Sequence, residues 1–430
     1  MRKIFINLPK ELKEIISYAS EFSKTTGMSA YLVGGCLRDL ILQVKNLDLD
    51  IAIEGNGIIF AQELAQKIGS TLKIHQRFKT ATLVLTNGLK VDIATLRRER
   101  YPYPAALPVV SPGSLSEDLM RRDFTINAMA ISLVEDNDQG IIDPYGGQTD
   151  LAAGRIRILH NLSFKDDPTR IFRAVRFSQR FNFKIEPETL ALLKRAISED
   201  ALDKVNSHRM REELTAILKE QNPFGSLSQL GALGALTFIS SKLKINRSVH
   251  VLFNSVAKEI TWFVKNFSDR RRLESWLIYF AGLLEPLTLF EINRIIHRLG
   301  LTKKDRKRIT DYYQAKKKII PLLSKKQITP KRIFLLLEPL SDEAIILISA
   351  VSSNKNLKKH LADFLKIYSG IRLCVSGVDL GNLGVAPGPE YRKMLNKVLA
   401  AKLNGQLHSR DAELALIKKL VQSVKKKRSV

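Results

Sequence analysis

Cysteine is nearly absent from this sequence. Two residues in 430, Cys36 and Cys374, cannot build a disulfide framework, and neither stands in a CxxC pair. Long apolar runs are absent too. The best stretch, Trp276 to Leu284, is cut by Glu285, well short of the ~20 residues that span a bilayer. The first residues, Met1-Arg2-Lys3-Ile4-Phe5-Ile6-Asn7, carry no apolar signal core, so secretion is not expected. No short-period repeat runs through the chain. Acidic residues are scarce relative to basic ones, 43 against 69, which leaves a formal charge of +26. With 45% hydrophobic residues the chain nevertheless buries a core, and its length suggests roughly two to four domains. These features predict a soluble cytoplasmic protein.

The charge is unevenly distributed. Residues 1–150 hold 17 basic and 18 acidic residues, residues 151–300 hold 24 and 15, and residues 301–430 hold 28 and 10. The excess lies entirely outside the first third. A basic surface confined to part of a chain points to a polyanion, most often nucleic acid.

The neutral third reads as mixed α/β. Helical spacing covers 11–23 and 58–68, the second closed by Gly69. Strand patterns cover 31–33 and 47–53, and a hairpin at Asn87-Gly88 joins strands 81–86 and 89–94. Residues 97–118, rich in Pro, Gly and Ser, read as a loop. Beyond Asp150 the pattern is almost wholly helical, and Pro321 and Pro330 are expected to break helices in the very basic stretch 302–332. The expected division is a head at 1–150, a helical neck at 151–222, a helical body at 223–325 and a basic helical tail at 326–430. The fold class is α+β, with a small mixed head followed by helices.

Asp48 and Asp50 lie two apart in a strand, so both carboxylates share one face. Such a pair is either a solvated edge or a site for a hard divalent cation such as Mg²⁺. Upstream, Val33-Gly34-Gly35-Cys36-Leu37-Arg38-Asp39 reads as a strand, a glycine turn and a helix start. Backbone N–H groups and the Arg38 fork suit phosphate there. Asp92 lies in a further strand. Three carboxylates on adjacent strands beside a phosphate-binding turn make an arrangement for phosphoryl transfer with two metal ions.

The Gly-Gly-x-x-Arg-Asp turn followed by Leu-Asp-x-Asp resembles the nucleotidyltransferase superfamily that includes DNA polymerase beta. Three strings follow in order: Arg121-Arg122-Asp123-Phe124-Thr125-Ile126-Asn127-Ala128, Asp143-Pro144-Tyr145-Gly146-Gly147-Gln148-Thr149-Asp150-Leu151, and Asp166-Asp167-Pro168-Thr169-Arg170-Ile171-Phe172-Arg173-Ala174-Val175-Arg176-Phe177. Together they resemble the class II tRNA nucleotidyltransferase (CCA-adding enzyme) and bacterial poly(A) polymerase family. The likeness is motif by motif over about residues 30–220 and general beyond. It implies Asp48 and Asp50 as Mg²⁺ ligands, Asp92 as the third catalytic carboxylate, Gly35 and Arg38 as nucleotide-binding, and Arg122 and Asp123 as the pair that recognises the ribose. Arg173 and Arg176 match positions that contact the nucleotide. Asp166 stands where the family commonly has Glu, an orienting position where little effect is expected.

Asp167 and Arg170 are three apart in a segment that reads as a helix beginning near Asp166, so they are expected on one face. A carboxylate accepts hydrogen bonds and a guanidinium donates them. Cytosine and adenine both show an amino donor beside a ring-nitrogen acceptor; uracil and guanine show the reverse. One Asp/Arg pair therefore accepts C and A, and the resemblance implies that it serves as a protein template. A wrong base leaves buried polar groups unpaired, at roughly 1–3 kcal/mol each. In His208-Arg209-Met210-Arg211-Glu212-Glu213-Leu214, Arg209 and Glu213 are expected to pair along a helix. Near the C-terminus, Gly384 and Gly388 either bind phosphate or cap helices.

The activity these features imply is template-independent addition of CMP and AMP, from CTP and ATP, to the 3′ end of tRNA, with no membrane and no obligate protein partner. Alternatives are an enzyme adding only CC or only A, a poly(A) polymerase, and a non-catalytic RNA-binding protein.

Overall fold

The computed structural model describes residues 8–44, 49–76, 79–134 and 140–428, with side chains as far as 423. The chain forms two compact units, Met1–Ser241 and Lys242–Val430.

In the first unit, helix α1 (Lys10–Thr26) buries Leu12, Ile15, Ala19 and Phe22 and ends at Gly27. Strand β1 (Ser29–Val33) turns sharply through Gly34 into α2 (Gly35–Ile41). Strand β2 (Leu49–Glu54) follows, then α3 (Gly57–Ile68), where Asn56 accepts hydrogen bonds from the Ile58 and Ile59 amides and so satisfies the first helical turn. Strands β3 (Thr71–His75), β4 (Thr80–Val84) and β5 (Lys90–Thr95) form a meander whose second turn is Asn87-Gly88, as the hairpin signal predicts. With β6 (Arg97–Arg100), β7 (Val109–Pro112) and β8 (Ala130–Ser132) counted, the six-stranded sheet runs β3-β4-β5-β2-β1-β8. Its central β2/β5 pair is parallel and its other neighbours are antiparallel.

The stretch 97–118 is not a loop. β6 and β7 pair as a separate hairpin, and α4 (Leu115–Met120) follows on a capping box in which Ser114 and Glu117 satisfy each other's backbone. The prolines fall where they do no harm to the ladder: Pro102, Pro104 and Pro108 lie in the connection and Pro112 ends β7.

Helices α5 (Gly147–Ala152), α6 (Ser163–Asp166), α7 (Arg170–Phe181), α8 (Pro187–Ser198), α9 (Ser207–Leu218) and α10 (Pro223–Ala232) complete the unit. Two short strands, β9 (Arg155–Ile156) and β10 (Lys184–Ile185), pair in parallel beyond Asp150, within a stretch whose sequence reads as almost wholly helical. The helix expected from Asp166 is interrupted. α6 ends at Asp166, Asp167 is extended (φ −134°, ψ 91°), and α7 starts only at Arg170. Pro168 is the reason, since its ring drives the preceding residue out of the helical region.

The second unit is helical: α11 (Arg247–Asn266), α12 (Ser275–Leu283), α13 (Leu289–Arg298), α14 (Lys303–Leu323), α15 (Pro330–Leu337), α16 (Asp342–Val351), α17 (Lys355–Asp363), α18 (Gly377–Asn382), α19 (Pro389–Leu403) and α20 (Arg410–Arg428). Pro330 opens α15, but Pro321 does not end α14; it lies inside that helix, two residues before its end at Leu323. Val375, Leu380, Met394, Val398, Ile417 and Val421 form a small core under α18–α20. Gly384 (φ +74°) follows α18 and Gly388 precedes α19, which favours the capping alternative. Residues 1–241 carry 31 basic and 28 acidic residues, and residues 242–430 carry 38 and 15, so +23 of the charge belongs to the second unit.

Candidate active site

The sheet sets the carboxylates. Asp50 on β2 is the register partner of Asp92 on β5 in the parallel pair, so both side chains leave the same face. Both line a cavity of about 290 Å³. Thr82 on β4 donates from Oγ1 to Asp92 at 2.5 Å and fixes its orientation. Asp48 lies outside the described residues. Among the described residues no group of three or more His, Cys, Asp or Glu side chains is placed to hold a metal ion. Asp50 and Asp92 supply two hard oxygen donors on rigid strands, a donor set suited to Mg²⁺.

Asp50 also lines an adjoining cavity of about 390 Å³, and this one collects most of the predicted residues: Gly35, Arg38, Arg122, Asp123, Asp167, Arg170 and Arg173. Gly34 makes the junction possible. It has φ +71°, a backbone angle that requires glycine, and it lets Arg122 Nη1 approach to 2.5 Å from where a β-carbon would stand.

Several charged groups of the cavity are held by other charged groups. Asp118, 1% exposed beneath it, accepts from Arg121 Nε at 2.9 Å and Nη2 at 2.7 Å, and from Arg122 Nη2 at 2.8 Å. Burial pushes the Asp118 carboxyl up, but Arg122 and Arg121 outweigh it and hold it below its usual range. Asp123 accepts from Arg173 Nε at 2.7 Å, from Asn127 Nδ2 at 2.8 Å and from the Phe124 amide at 3.0 Å. There too burial acts upward, and the Arg173 guanidinium and these hydrogen bonds bring Asp123 down to about 2.

Asp167 and Arg170 both face the cavity but do not pair. The break at Pro168 puts Asp167 ahead of the helix, where Oδ1 accepts from the Thr169 amide (3.0 Å) and hydroxyl (2.6 Å). Its other oxygen meets Arg209 Nη2 at 2.6 Å. Arg209 therefore does not pair with Glu213; the extended backbone at Asp167, just ahead of α7, brings that carboxylate to Arg209 on α9. Glu213 instead faces Arg173 (3.5 Å) and Arg176 (3.8 Å). Arg170 donates to Ser163 Oγ at 2.6 Å and to the Arg121 carbonyl at 2.7 Å.

Two expected nucleotide contacts stand differently. Arg38 lines the cavity from behind, 4% exposed, with its guanidinium over the Phe177 and Phe181 rings and bonded to Asp39 and Asn127. Arg176 is not among the residues lining the cavity. It turns toward Glu213 and Glu220 and packs on Phe177. Conversely, Glu99, Tyr101, Arg121, Asn127 and Phe177 line the cavity without having been singled out. Arg97, Glu99 and Tyr101 alternate along β6 and its exit; that period-two pattern was the available signal, obscured by the prolines behind it. Glu99 accepts from Tyr101 Oη at 3.2 Å and from Arg97 and Arg121, and burial with the Glu99 charge pushes the Tyr101 hydroxyl up.

Comparison with known proteins bears on this site. Residues 30–157 match the family model described as Poly A polymerase head domain, and residues 182–244 match the one described as Probable RNA and SrmB-binding site of polymerase A. The A-adding tRNA nucleotidyltransferase of Geobacter sulfurreducens is 35% identical over 422 residues, 97% of this chain and 48% of that protein; the chain thus spans about half of that relative. The A-adding tRNA nucleotidyltransferase of Halalkalibacterium halodurans is 33% identical over 414 residues, 93% of this chain and 91% of that one. A solved structure of a CCA-adding enzyme in apo form II superimposes with a TM-score of 0.76 at 32% identity, covering 98% of both chains.

Proposed function

The chain belongs to the tRNA nucleotidyltransferase and poly(A) polymerase family, and from that premise we propose that it adds CMP and AMP, from CTP and ATP, to the 3′ end of tRNA and releases pyrophosphate. The observation that carries this reading is the single cavity in which Asp50, Arg122, Asp123, Asp167, Arg170 and Arg173 converge beside the Asp50/Asp92 pair.

The site residues take these roles. Asp48, Asp50 and Asp92 are the catalytic carboxylates, with Asp48 and Asp50 as the metal ligands. A bound Mg²⁺ would neutralise triphosphate charge and favour ionisation of the attacking 3′-hydroxyl. Arg122, pinned by Asp118, and Asp123, pinned by Arg173, receive the ribose. Gly35 offers its backbone to phosphate. Asp167 takes the amino group of cytosine or adenine on a lone pair left over from its bonds to Thr169 and Arg209. Arg170 uses two of its five N–H donors on Ser163 and the Arg121 carbonyl, which leaves donors for the ring nitrogen. Arg38 and Arg176 act behind this layer, through Phe177.

Residues 1–150 serve as the catalytic head, 151–222 as the nucleotide-recognising neck, 223–325 as the body and 326–430 as the RNA-binding tail. The +23 of residues 242–430 supports an RNA partner there. Among the described residues no helix is long and apolar enough to cross a membrane, and the proposed place of action is the cytoplasm.

A second reading, addition of the terminal A alone, is favoured by the names of the two curated relatives. Incubation with Mg²⁺ and tRNA ending before its CCA, or after CC, given CTP, ATP or both, separates the readings. Products ending in CCA from the shorter tRNA support the first. Extension only of the CC-ended tRNA, and only by ATP, supports the second. No incorporation in any reaction refutes both.

A further inference from the structure

The second unit contains a cavity that the transfer reaction does not use. It holds about 380 Å³ between α11, α16 and α17. Its floor is apolar and buried, built from Ile345, Leu361 and Leu365, which are at most 3% exposed, with Ser349 adding a hydroxyl-bearing side chain. Its wall is the half-buried ring of Trp262, one of two tryptophans in the chain. Ammonium groups surround it. Lys258 stands on the rim, and the exposed Lys366 places its Nζ 5.8 Å from the Trp262 centroid. The acid in the lining, Glu259, is already neutralised by Lys358 at 2.6 Å.

We propose that this cavity binds an unpaired nucleotide of an RNA, with its base stacked on Trp262 and its phosphate met by Lys258 and Lys366. An indole face beside a dry floor suits a planar base, and any base will do, because every base has a π-face. The Lys366 contact to the ring is a loose cation–π pair; an incoming base takes its place while the ammonium moves to the phosphate. Two rim ammoniums match a phosphodiester better than a triphosphate. The surrounding unit, at +23, raises the local concentration of a polyanion rather than of an acidic-poor peptide. The occupant is therefore a base of an RNA chain, not a free nucleotide.

The test uses the full chain carrying Trp276→Phe, which leaves Trp262 as its one tryptophan. Titration with tRNA, and with a short single-stranded oligoribonucleotide, is expected to quench its fluorescence saturably. Trp262→Leu keeps the apolar volume but removes the stack, and RNA affinity should fall about 5- to 150-fold, the loss typical of one base–aromatic contact. Trp262→Phe should retain most of the affinity, and Lys258→Ala with Lys366→Ala should lower the salt slope by about 2. Three results would overturn the proposal: RNA that binds without quenching, wild-type affinity in Trp262→Leu, or saturable quenching by AMP with none by RNA. If Trp262→Leu does not fold, the quenching titration still decides. None of these measurements needs nucleotide incorporation, so they fail or succeed independently of the transferase reading.

Discussion

Asp123→Asn is the substitution that most directly probes how the site is held. The asparagine oxygen can keep the bonds that Asp123 Oδ1 accepts from Asn127 and the Phe124 amide. Its amide nitrogen would then stand where Oδ2 meets the Arg173 guanidinium, donor against donor. Asp123 is 6% exposed, and its carboxyl is lowered from about 3.8 to about 2, which corresponds to about 2 kcal/mol of native-state stabilisation. Leaving Arg173 opposite an amide adds to that. Removing one partner of a buried ion pair costs roughly 3–5 kcal/mol, and the low end, about 3 kcal/mol, applies because Glu213 stands 3.5 Å from Arg173. The pH dependence follows from the direction of the shift. A folded-state value below the unfolded one gives stability that is present above pH ~4 and lost as pH falls toward 2. The gap between wild type and variant should therefore narrow by about 1 kcal/mol between pH 7 and pH 3. Urea denaturation of the full chain followed by far-ultraviolet circular dichroism measures it. Trp262 and Trp276 both lie in the second unit, so their fluorescence supplies a control transition that should not move. A variant as stable as wild type at pH 7, or a gap that keeps its size at pH 3, refutes the reasoning.

Asp50→Ala and Asp92→Ala should each lower incorporation by more than the roughly 100-fold that loss of an outer-shell metal partner brings, with tRNA affinity in a filter-binding assay little changed; retained incorporation would remove the carboxylate pair from the chemistry. Chelation by EDTA should stop incorporation and Mg²⁺ should restore it. Arg170→Ala should narrow the preference for C and A over U and G by about 10- to 100-fold in single-nucleotide incorporation, and unchanged discrimination would refute its role as a base reader. Raising salt from 50 to 200 mM should weaken RNA binding steeply, and a flat response would show that the +23 of the second unit is not spent on phosphate.

What was legible in the sequence was whatever depends on short-range chemistry. Period-two alternation placed Asp50 on a strand, Asn87-Gly88 marked its hairpin, and Gly69 closed its helix. The errors arose where one residue overrides a pattern. Three-residue spacing put Asp167 and Arg170 on one helical face, yet Pro168 forces Asp167 out of the helix, so the two reach the same cavity from different directions. The i, i+4 spacing of Arg209 and Glu213 suggested a pair, but a carboxylate 42 positions away in the chain offered Arg209 a contact at 2.6 Å. Prolines between 102 and 112 suggested a loop and concealed the strand that carries Glu99, with Tyr101 just past its end, to the cavity. Long-range partners of this kind leave no trace in local spacing.

The contrast between the units follows from what each must hold. The candidate cavity is lined by the acids Asp50, Glu99, Asp123 and Asp167 and by five arginines, and Asp118 lies beneath. Arg121 and Arg122 are tied to Asp118, Arg173 to Asp123, and Asp167 to Arg209. Such cross-bracing fixes donors and acceptors in advance; under the proposed function, a matching base edge would meet groups that need no reorganisation, while a wrong edge would meet groups that cannot turn to suit it. Bracing of this kind requires nearly equal numbers of the two charges, and residues 1–241 accordingly hold 31 basic and 28 acidic residues. A surface that binds a phosphate backbone works in the opposite way: its cations must be left for the ligand rather than paired internally. The excess of 38 basic over 15 acidic residues in residues 242–430 would meet that requirement, and under the proposed function the neutral head and the basic remainder follow from one division of labour.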